Sequence, residues 1–151
     1  MRPQPERPQR SVRDAVVYAA AQLIRERGVR GTSLRDVAER ASAPWGSMQH
    51  YFPGGKTQII TEALNLAGAE VLGDTESGLL EATTPAEAID AIFAPWRRVL
   101  VESNFTMGCP IAATVVDAGA EDRLRQEARD LLDQWRDSIL ATLVKFGAQA
   151  S

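Results

Sequence analysis

The side chains best suited to chemistry lie in a short segment, residues 45–56, that is rich in aromatic and polar groups. Met48 and Phe52 are apolar and stand one helical turn apart, so they set the buried direction of a helix. Because a helix has 3.6 residues per turn, this buried direction also determines which side chains are exposed. Gly46, Ser47 and His50 point outward, flanked by Trp45, Gln49 and Tyr51. Amide, hydroxyl, imidazole and aromatic groups in this arrangement are suited to reading base edges and gripping phosphates.

The segment before this helix completes a two-helix motif. Thr32 or Ser33 is predicted to start a short helix, and Ser42-Ala43-Pro44 breaks it. Pro53-Gly54-Gly55 then ends the second helix. A helix, a tight break and a second short helix form the layout of a helix-turn-helix, whose second helix enters the major groove of DNA.

The remaining sequence also has helical periodicity, so the predicted fold is all-α, with a three-helix head and a helical body. Ser11 and Gly28 bound the first helix, and a fourth helix starts near Lys56. Residues 73–83 are predicted to form a loop, although Leu79-Leu80 could extend a helix. Thr84-Pro85 is predicted to cap a fifth helix, which Pro95 should kink. After a loop over 104–109, Pro110 starts a short helix. A last long helix starts near Leu124 and ends at Gly147.

Charge divides the chain into two unlike parts. Residues 1–56 carry nine Arg and one Lys against five acids, a net charge of +5, whereas residues 57–151 have a net charge of −8. This asymmetry indicates a basic head that meets phosphate, although a chance division of a solvated surface stays open. No stretch is long and apolar enough to span a membrane, and residues 1–10 have the composition of a disordered tail rather than a signal peptide, so a cytoplasmic protein is expected.

Residues 11–64 resemble the DNA-binding head of the TetR family of bacterial repressors. The resemblance rests on the run from Thr32 to Ala41 and on Gly46-Ser47-Met48-Gln49-His50-Tyr51-Phe52 followed by Lys56. The Pro53-Gly54-Gly55-Lys56 form and the segment Gly108-Cys109-Pro110-Ile111-Ala112-Ala113 resemble the LmrA/YxaF-like branch. Together these matches cover most of the chain.

The resemblance implies a role for each matched residue. Trp45, Gly46, Gln49 and His50 would approach bases, Ser33, Ser47, Tyr51 and Lys56 would hold phosphates, and Arg35 could do either. Lys56 also lies at a helix N-terminus, where free N–H groups favour an anion. The family usually has Tyr at Gln49, so its base preference does not transfer, and Pro44 replaces a small polar cap at a cost of roughly 1 kcal/mol.

Other chemistries have weaker support. Gly55-Lys56-Thr57 imitates the end of a P-loop, but His50 stands where that motif needs a Gly, and no strand precedes it. The single Cys109 gives neither a disulfide nor a zinc site and is interpreted as a small buried apolar residue rather than a redox sensor. No nucleophile–base pair or cofactor motif is present, so an enzyme is not expected. A helical interaction protein with a degenerate head is the alternative to a ligand-controlled repressor.

Large apolar residues in the body predict a pocket for a small apolar or aromatic inducer, with ordinary core as the alternative. The predicted lining is Phe93, Trp96, Phe105, Met107, Cys109 and Trp135. The acidic body favours a neutral or cationic ligand. An inducer that prefers a body conformation unsuited to DNA would release the head by population shift, with the fourth helix as the lever.

The predicted domains are a DNA-binding head over residues 11–55 and a regulatory body over 56–151. In the family that the chain resembles, two further helices after the long last helix make most of the dimer interface. Here no amphipathic segment follows Gly147. We therefore expect a homodimer that is weakened if the protein ends at Ser151, partly because the apolar stripe from Leu124 to Phe146 loses cover; a longer native protein is the alternative.

Overall fold

The computed structural model describes residues 11–117 and 120–147, and within these ranges it has seven helices and no strands. The predicted disordered tail, residues 1–10, lies outside the described residues. The helices are α1 (Val12–Arg27), α2 (Leu34–Ala41), α3 (Trp45–Tyr51), α4 (Gly55–Glu81), α5 (Pro85–Glu102), α6 (Pro110–Val116) and α7 (Asp122–Lys145). The all-α prediction is confirmed. In the part of the chain so described, none of these helices has the length and apolarity needed to cross a bilayer.

The helix starts follow the capping chemistry that the sequence predicts. Ser11 caps α1 by accepting a hydrogen bond from the backbone N–H of Asp14 at 3.1 Å. Thr84 caps α5 through a reciprocal capping box with Glu87. Gly28 ends α1 with φ of 71°, a backbone conformation that glycine adopts without the strain a side chain would introduce.

The main apolar core joins the head to the body. The inner faces of α1 and α4 supply most of it, including Leu23, Ile24 and Ile60. Leu124 and Ala128 of α7 belong to the same cluster, although the sequence places them in a separate domain. Residues on both sides of the predicted boundary at residue 55 therefore share one apolar core.

The predicted loop over residues 73–83 is wrong, because α4 continues to Glu81. Its last turns are buried: Thr75 is fully shielded, and Leu79 packs in a second cluster with residues of α5. The Thr75 hydroxyl also accepts a hydrogen bond from the indole of Trp135 at 3.4 Å. Tertiary burial thus outweighs the low helix propensity of the two glycines in this stretch.

The apolar face of α7 lies against the protein along most of its length. Leu124 and Ala128 are buried, and Trp135 and Ile139 pack against the second cluster. The predicted stripe is therefore buried at its start and half-buried over the rest of its length. Leu140 and Val144, on another side of the helix, instead expose 49% and 53% of their surface.

Gly73 and Gly78, in the second half of α4, provide a matched test of helix packing. A Cβ added at Gly78 would lie 2.9 Å from the Cβ of Ala91 in α5, whereas one added at Gly73 meets no atom within 4 Å. Gly78→Ala should therefore lower the free energy of unfolding by about 1–3 kcal/mol through overpacking. Gly73→Ala should raise it by about 0.5–1 kcal/mol because alanine is the better helix former. Urea unfolding followed by circular dichroism measures both, and equal effects would contradict the described α4–α5 contact.

Candidate nucleic-acid interface

The second helix of the motif, α3, presents the face that the sequence predicts. Met48 and Phe52 are buried and anchor the helix to the head core. The residues left exposed are Trp45, Gly46, Gln49, His50 and Tyr51, while Ser47 is half-buried. The imidazole of His50 meets the ring of Tyr51 edge-on, with centroids 5.1 Å apart. The exposed face therefore carries the aromatic, amide and imidazole groups together on one short helix.

A tight turn sets α3 against α2. Ser42 adopts a left-handed conformation with φ of 51°, and the N–H of Ala43 donates to the carbonyl of Ala38 at 2.9 Å. Pro44 precedes α3 and makes no side-chain cap, as its residue type predicts. Its carbonyl accepts from the N–H of Met48 at 3.2 Å, so α3 starts on backbone bonding alone.

An ion pair fixes α2 on α1. The Arg40 guanidinium donates two hydrogen bonds to the carboxylate of Glu26, at 2.5 and 2.9 Å. Hydrogen bonding to Arg40 lowers the pKa of Glu26, and the same bonds raise the pKa of Arg40. A bidentate pair of this kind is directional, so it fixes the orientation of α2 as well as its distance from α1.

Two of the predicted phosphate-binding residues also have structural roles. The Ser33 hydroxyl accepts from the backbone N–H of Asp36 at 3.1 Å and donates to the Asp36 carboxylate at 2.6 Å. The bond donated by the hydroxyl and a second one from the Ser33 backbone N–H lower the pKa of Asp36. The Lys56 ammonium donates to the carbonyl of Val29 at 3.0 Å. By contrast, within residues 11–117 and 120–147 no carboxylate forms an ion pair with the exposed Arg35. Arg35 is therefore the most available cation beside α3.

The structure brings only part of the predicted ligand-binding set together. Trp96 and Trp135 meet edge-on with ring centroids 5.7 Å apart. Phe93 and Phe105, however, expose 57% and 72% of their surface, so they do not enclose a pocket with the tryptophans. Phe93 is on an outer face of α5, and Phe105 is in the turn after that helix, where its φ is 62°.

The other two predicted ligand residues lie beside the head. Met107 is half-buried, and its backbone N–H donates to the Ser103 hydroxyl at 3.2 Å. Cys109 packs against the main core, and its sulfur caps α6 by accepting from the N–H of Ala112 at 3.3 Å. Burial raises the pKa of the Cys109 thiol, which favours the interpretation as a packed residue over a redox sensor.

The sequence interpretation missed a cavity at the junction of α1, α4 and α5. It has a volume of about 300 Å³, and Trp96 is the one predicted ligand residue among those lining it. Arg25 of α1 and Glu70 and Asp74 of α4 also line this cavity. The missed signal is that Arg25 stands among buried apolar residues of α1, at a position where a charge needs a partner.

The motif and the helical body define a helix-turn-helix protein, and the comparisons identify its family. Residues 16–63 match bacterial regulatory proteins of the tetR family, and residues 85–151 match the C-terminal domain of LmrA/YxaF-like transcriptional regulators. The chain belongs to the TetR family, with a body of the LmrA/YxaF-like type. These matching families are transcriptional regulators and not enzymes.

Similar proteins support the assignment across both parts of the chain. An uncharacterized HTH-type transcriptional regulator of Mycobacterium tuberculosis is 42% identical over 134 residues, covering 83% of this chain and 66% of the relative. The regulator LmrA of Bacillus subtilis is 26% identical over 140 residues, covering 92% and 74%. A TetR transcriptional regulator from Chloroflexus aurantiacus superposes with a TM-score of 0.72 at 26% identity, covering 89% and 68%. The chain thus spans 66% of the length of the mycobacterial relative.

The ion pair between α1 and α2 predicts an acid-sensitive head. Because the pKa of Glu26 is lowered in the folded protein, the pair stabilises the fold above the ordinary carboxyl pKa and loses this effect as the pH falls. Arg40→Met should lower the free energy of unfolding by about 0.5–1 kcal/mol at pH 7 and by less at pH 3. Arg136→Met, which breaks an exposed pair within α7, is the control. Thermal unfolding between pH 3 and 7 measures both, and a pH-independent Arg40→Met effect would contradict the described pair.

Proposed function

We propose that this chain is a DNA-binding transcriptional repressor that acts as a homodimer in the cytoplasm and is released from its operator by a small-molecule inducer. The observation that carries the proposal is the exposed face of α3, presented by a helix-turn-helix whose buried side is anchored by Met48 and Phe52. Membership of a family of transcriptional regulators supports it. A dimer bound across a promoter would exclude the transcription machinery from the same DNA.

The proposed contacts divide between bases and phosphates. Trp45, Gly46, Gln49 and His50 would approach base edges, and Ser33, Arg35, Ser47, Tyr51 and Lys56 would hold the backbone. Lys56 is compatible with this role although it binds Val29, because an ammonium has three donors and this bond uses one. The Ser33 hydroxyl would donate to a phosphate oxygen in place of the Asp36 carboxylate, while its oxygen continues to cap α2.

The proposed release mechanism uses hydrogen bonds that hold α4 and the head against the later helices of the body. Thr57 and Thr61 of α4 donate to Glu121 and Glu127, at 2.9 and 2.7 Å. In addition, the Arg30 N–H donates to the Asp117 carboxylate at 2.9 Å. An inducer that shifts α4 or α7 would move the heads out of register with successive DNA half-sites. The inducer weakens DNA binding only by the difference in its affinity for the two conformations.

Substitutions on α2 and α3 test the division of contacts. Gln49→Ala should relax sequence preference at one or two base pairs by about 1–3 kcal/mol. Arg35→Ala and Lys56→Ala should weaken binding to all sequences alike and reduce the salt slope by about one unit each. Fluorescence anisotropy with duplexes from the region flanking the gene, including any inverted repeat, measures these effects from 50 to 300 mM salt.

Controls separate binding from folding in that experiment. Arg123→Gln, on the exposed side of α7, should leave affinity and salt slope unchanged. A melting curve for Lys56→Ala is needed, because this variant also loses the bond to Val29. Absence of salt-dependent DNA binding by the folded wild-type chain would overturn the proposed function and favour a helical interaction protein.

The proposed dimer has its own measurement. Two heads are needed to reach half-sites about one DNA turn apart, so the chain should self-associate. Leu140 and Val144 are the exposed apolar residues near the end of α7, a small patch that favours a weak interaction. Sedimentation velocity should show a monomer–dimer equilibrium that shifts with concentration in the micromolar range. A monomer at every concentration, or a dimer with no concentration dependence, would contradict this expectation.

A further inference from the structure

The cavity between α1, α4 and α5 has features of a ligand site rather than of a packing defect. It lies where the last turns of α1, which belong to the head, meet two helices of the body. Val71, Pro95 and Val99 provide apolar walls, and the ring of Trp96 provides an aromatic one. A volume of about 300 Å³ is at the lower end of pockets that hold small organic molecules.

Two buried hydrogen-bond donors at this cavity have no acceptor. Within the described ranges, neither the Nε of Arg25 nor the indole Nε1 of Trp96 has a hydrogen-bond partner, and both atoms are shielded from solvent. The Arg25 side chain is only 8% exposed, and its Nη2 reaches Glu70 at a long 3.3 Å. Buried donors without acceptors are rare in proteins because each loses its bond to water without replacement. Two of them beside one cavity indicate that an acceptor belongs there.

The charges around the cavity narrow the class of ligand. Arg25 pairs with Glu70, and Arg98 pairs with Asp74, so each carboxylate facing the cavity already has a cation. The groups that lack partners are both N–H donors, one on a guanidinium and one on an indole. A complementary molecule presents an acceptor oxygen, as a carbonyl or carboxylate, on an apolar body. A purely cationic ligand would leave both donors unsatisfied.

We propose that this cavity binds the inducer, and that the inducer is a small apolar molecule with a carbonyl or carboxylate oxygen that accepts from Arg25 and Trp96. The role as inducer rests on the proposed function, whereas binding at the cavity does not. Because both donor atoms are shielded in the described conformation, an acceptor reaches them only when α1 and α5 move relative to each other. Arg25 precedes Glu26, which holds Arg40 of α2, so this movement is passed to the helix-turn-helix.

Indole N–H signals in ¹⁵N-labelled protein test the site directly, because the chain has three tryptophans. The probes are phenylacetate, phenylacetamide and toluene, each to 5 mM, which present a charged acceptor, a neutral acceptor and no acceptor on the same ring. Phenylacetate or phenylacetamide should shift the Trp96 signal in a saturable way, with at least tenfold weaker binding of toluene. The Trp45 signal, from the exposed face of α3, should stay unchanged.

Variants establish that the donors themselves are responsible. Trp96→Phe keeps an aromatic ring but removes the N–H, and the signal that disappears in this variant is that of Trp96. The variant should bind the acceptor-bearing probe about tenfold more weakly, as measured from the remaining signals. Arg25→Gln should weaken it at least as much. Arg123→Gln, whose side chain is 75% exposed on α7, is the matched control and should keep wild-type affinity. Circular dichroism verifies that each variant is folded. If Arg25→Gln does not fold, Trp96→Phe alone suffices for the test.

The outcomes separate the cavity from the proposed function. No saturable shift of the Trp96 signal with any probe, equal binding of toluene, or unchanged affinity in Trp96→Phe overturns the site. DNA binding is measured independently by anisotropy without probe. A saturable Trp96 shift in a protein that does not bind DNA overturns the repressor proposal and keeps the site. Salt-dependent DNA binding without a saturable Trp96 shift keeps the repressor proposal and overturns the site.

Discussion

The close packing of α1 on α4 is the interaction on which the rest of the structure depends. Both helices carry small residues in the shared core, and Ala20, Ala63 and Ala67 are completely shielded from solvent. Small side chains at such an interface let two helix backbones approach closely, so the position of one helix defines the other. Since α4 also contacts α5, α6 and α7, this single interface places the head relative to the whole body.

The helix α3 depends on that core more than the other helices do. It has seven residues, no side-chain cap and a proline at its N-cap position, so its intrinsic stability is low. Burial of Met48 and Phe52 keeps it helical and directs its polar side outward. The same constraint leaves Gln49 and His50 on the exposed face of the helix, where side chains must lie if they are to meet bases.

Local rules of sequence were sufficient for most of the fold. Ser11, Ser33 and Thr84 start helices because their oxygens cap free N–H groups, and such signals are contained within four residues. The course of α4 beyond Gly73 was not predictable in this way, because that helix is stabilised by distant partners such as Trp135. The outward face of α3 was predictable because two apolar residues one turn apart define it.

The structure brings only part of the predicted ligand set together, and the reason is related. Side-chain size identifies Phe93 and Phe105 as core candidates, but size does not determine which face of α5 meets α4 and α7. The cavity instead uses Arg25, which is distant in sequence from Trp96 and was assigned to the head. The proposed role of Arg25 rests on its Nε, which lacks a hydrogen-bond acceptor among the described residues. That property depends on atomic positions and has no signature in composition or periodicity.

The core that joins head and body has a thermodynamic consequence. Leu124 and Ala128 of α7 complete the apolar surroundings of the head helices, so detaching α7 would expose the core of the head to water. We therefore expect the head and α7 to unfold together as one cooperative unit. A cavity-forming change at Leu124, far from any nucleotide, would then lower occupancy of DNA in the cell simply by reducing the fraction of chains that are native.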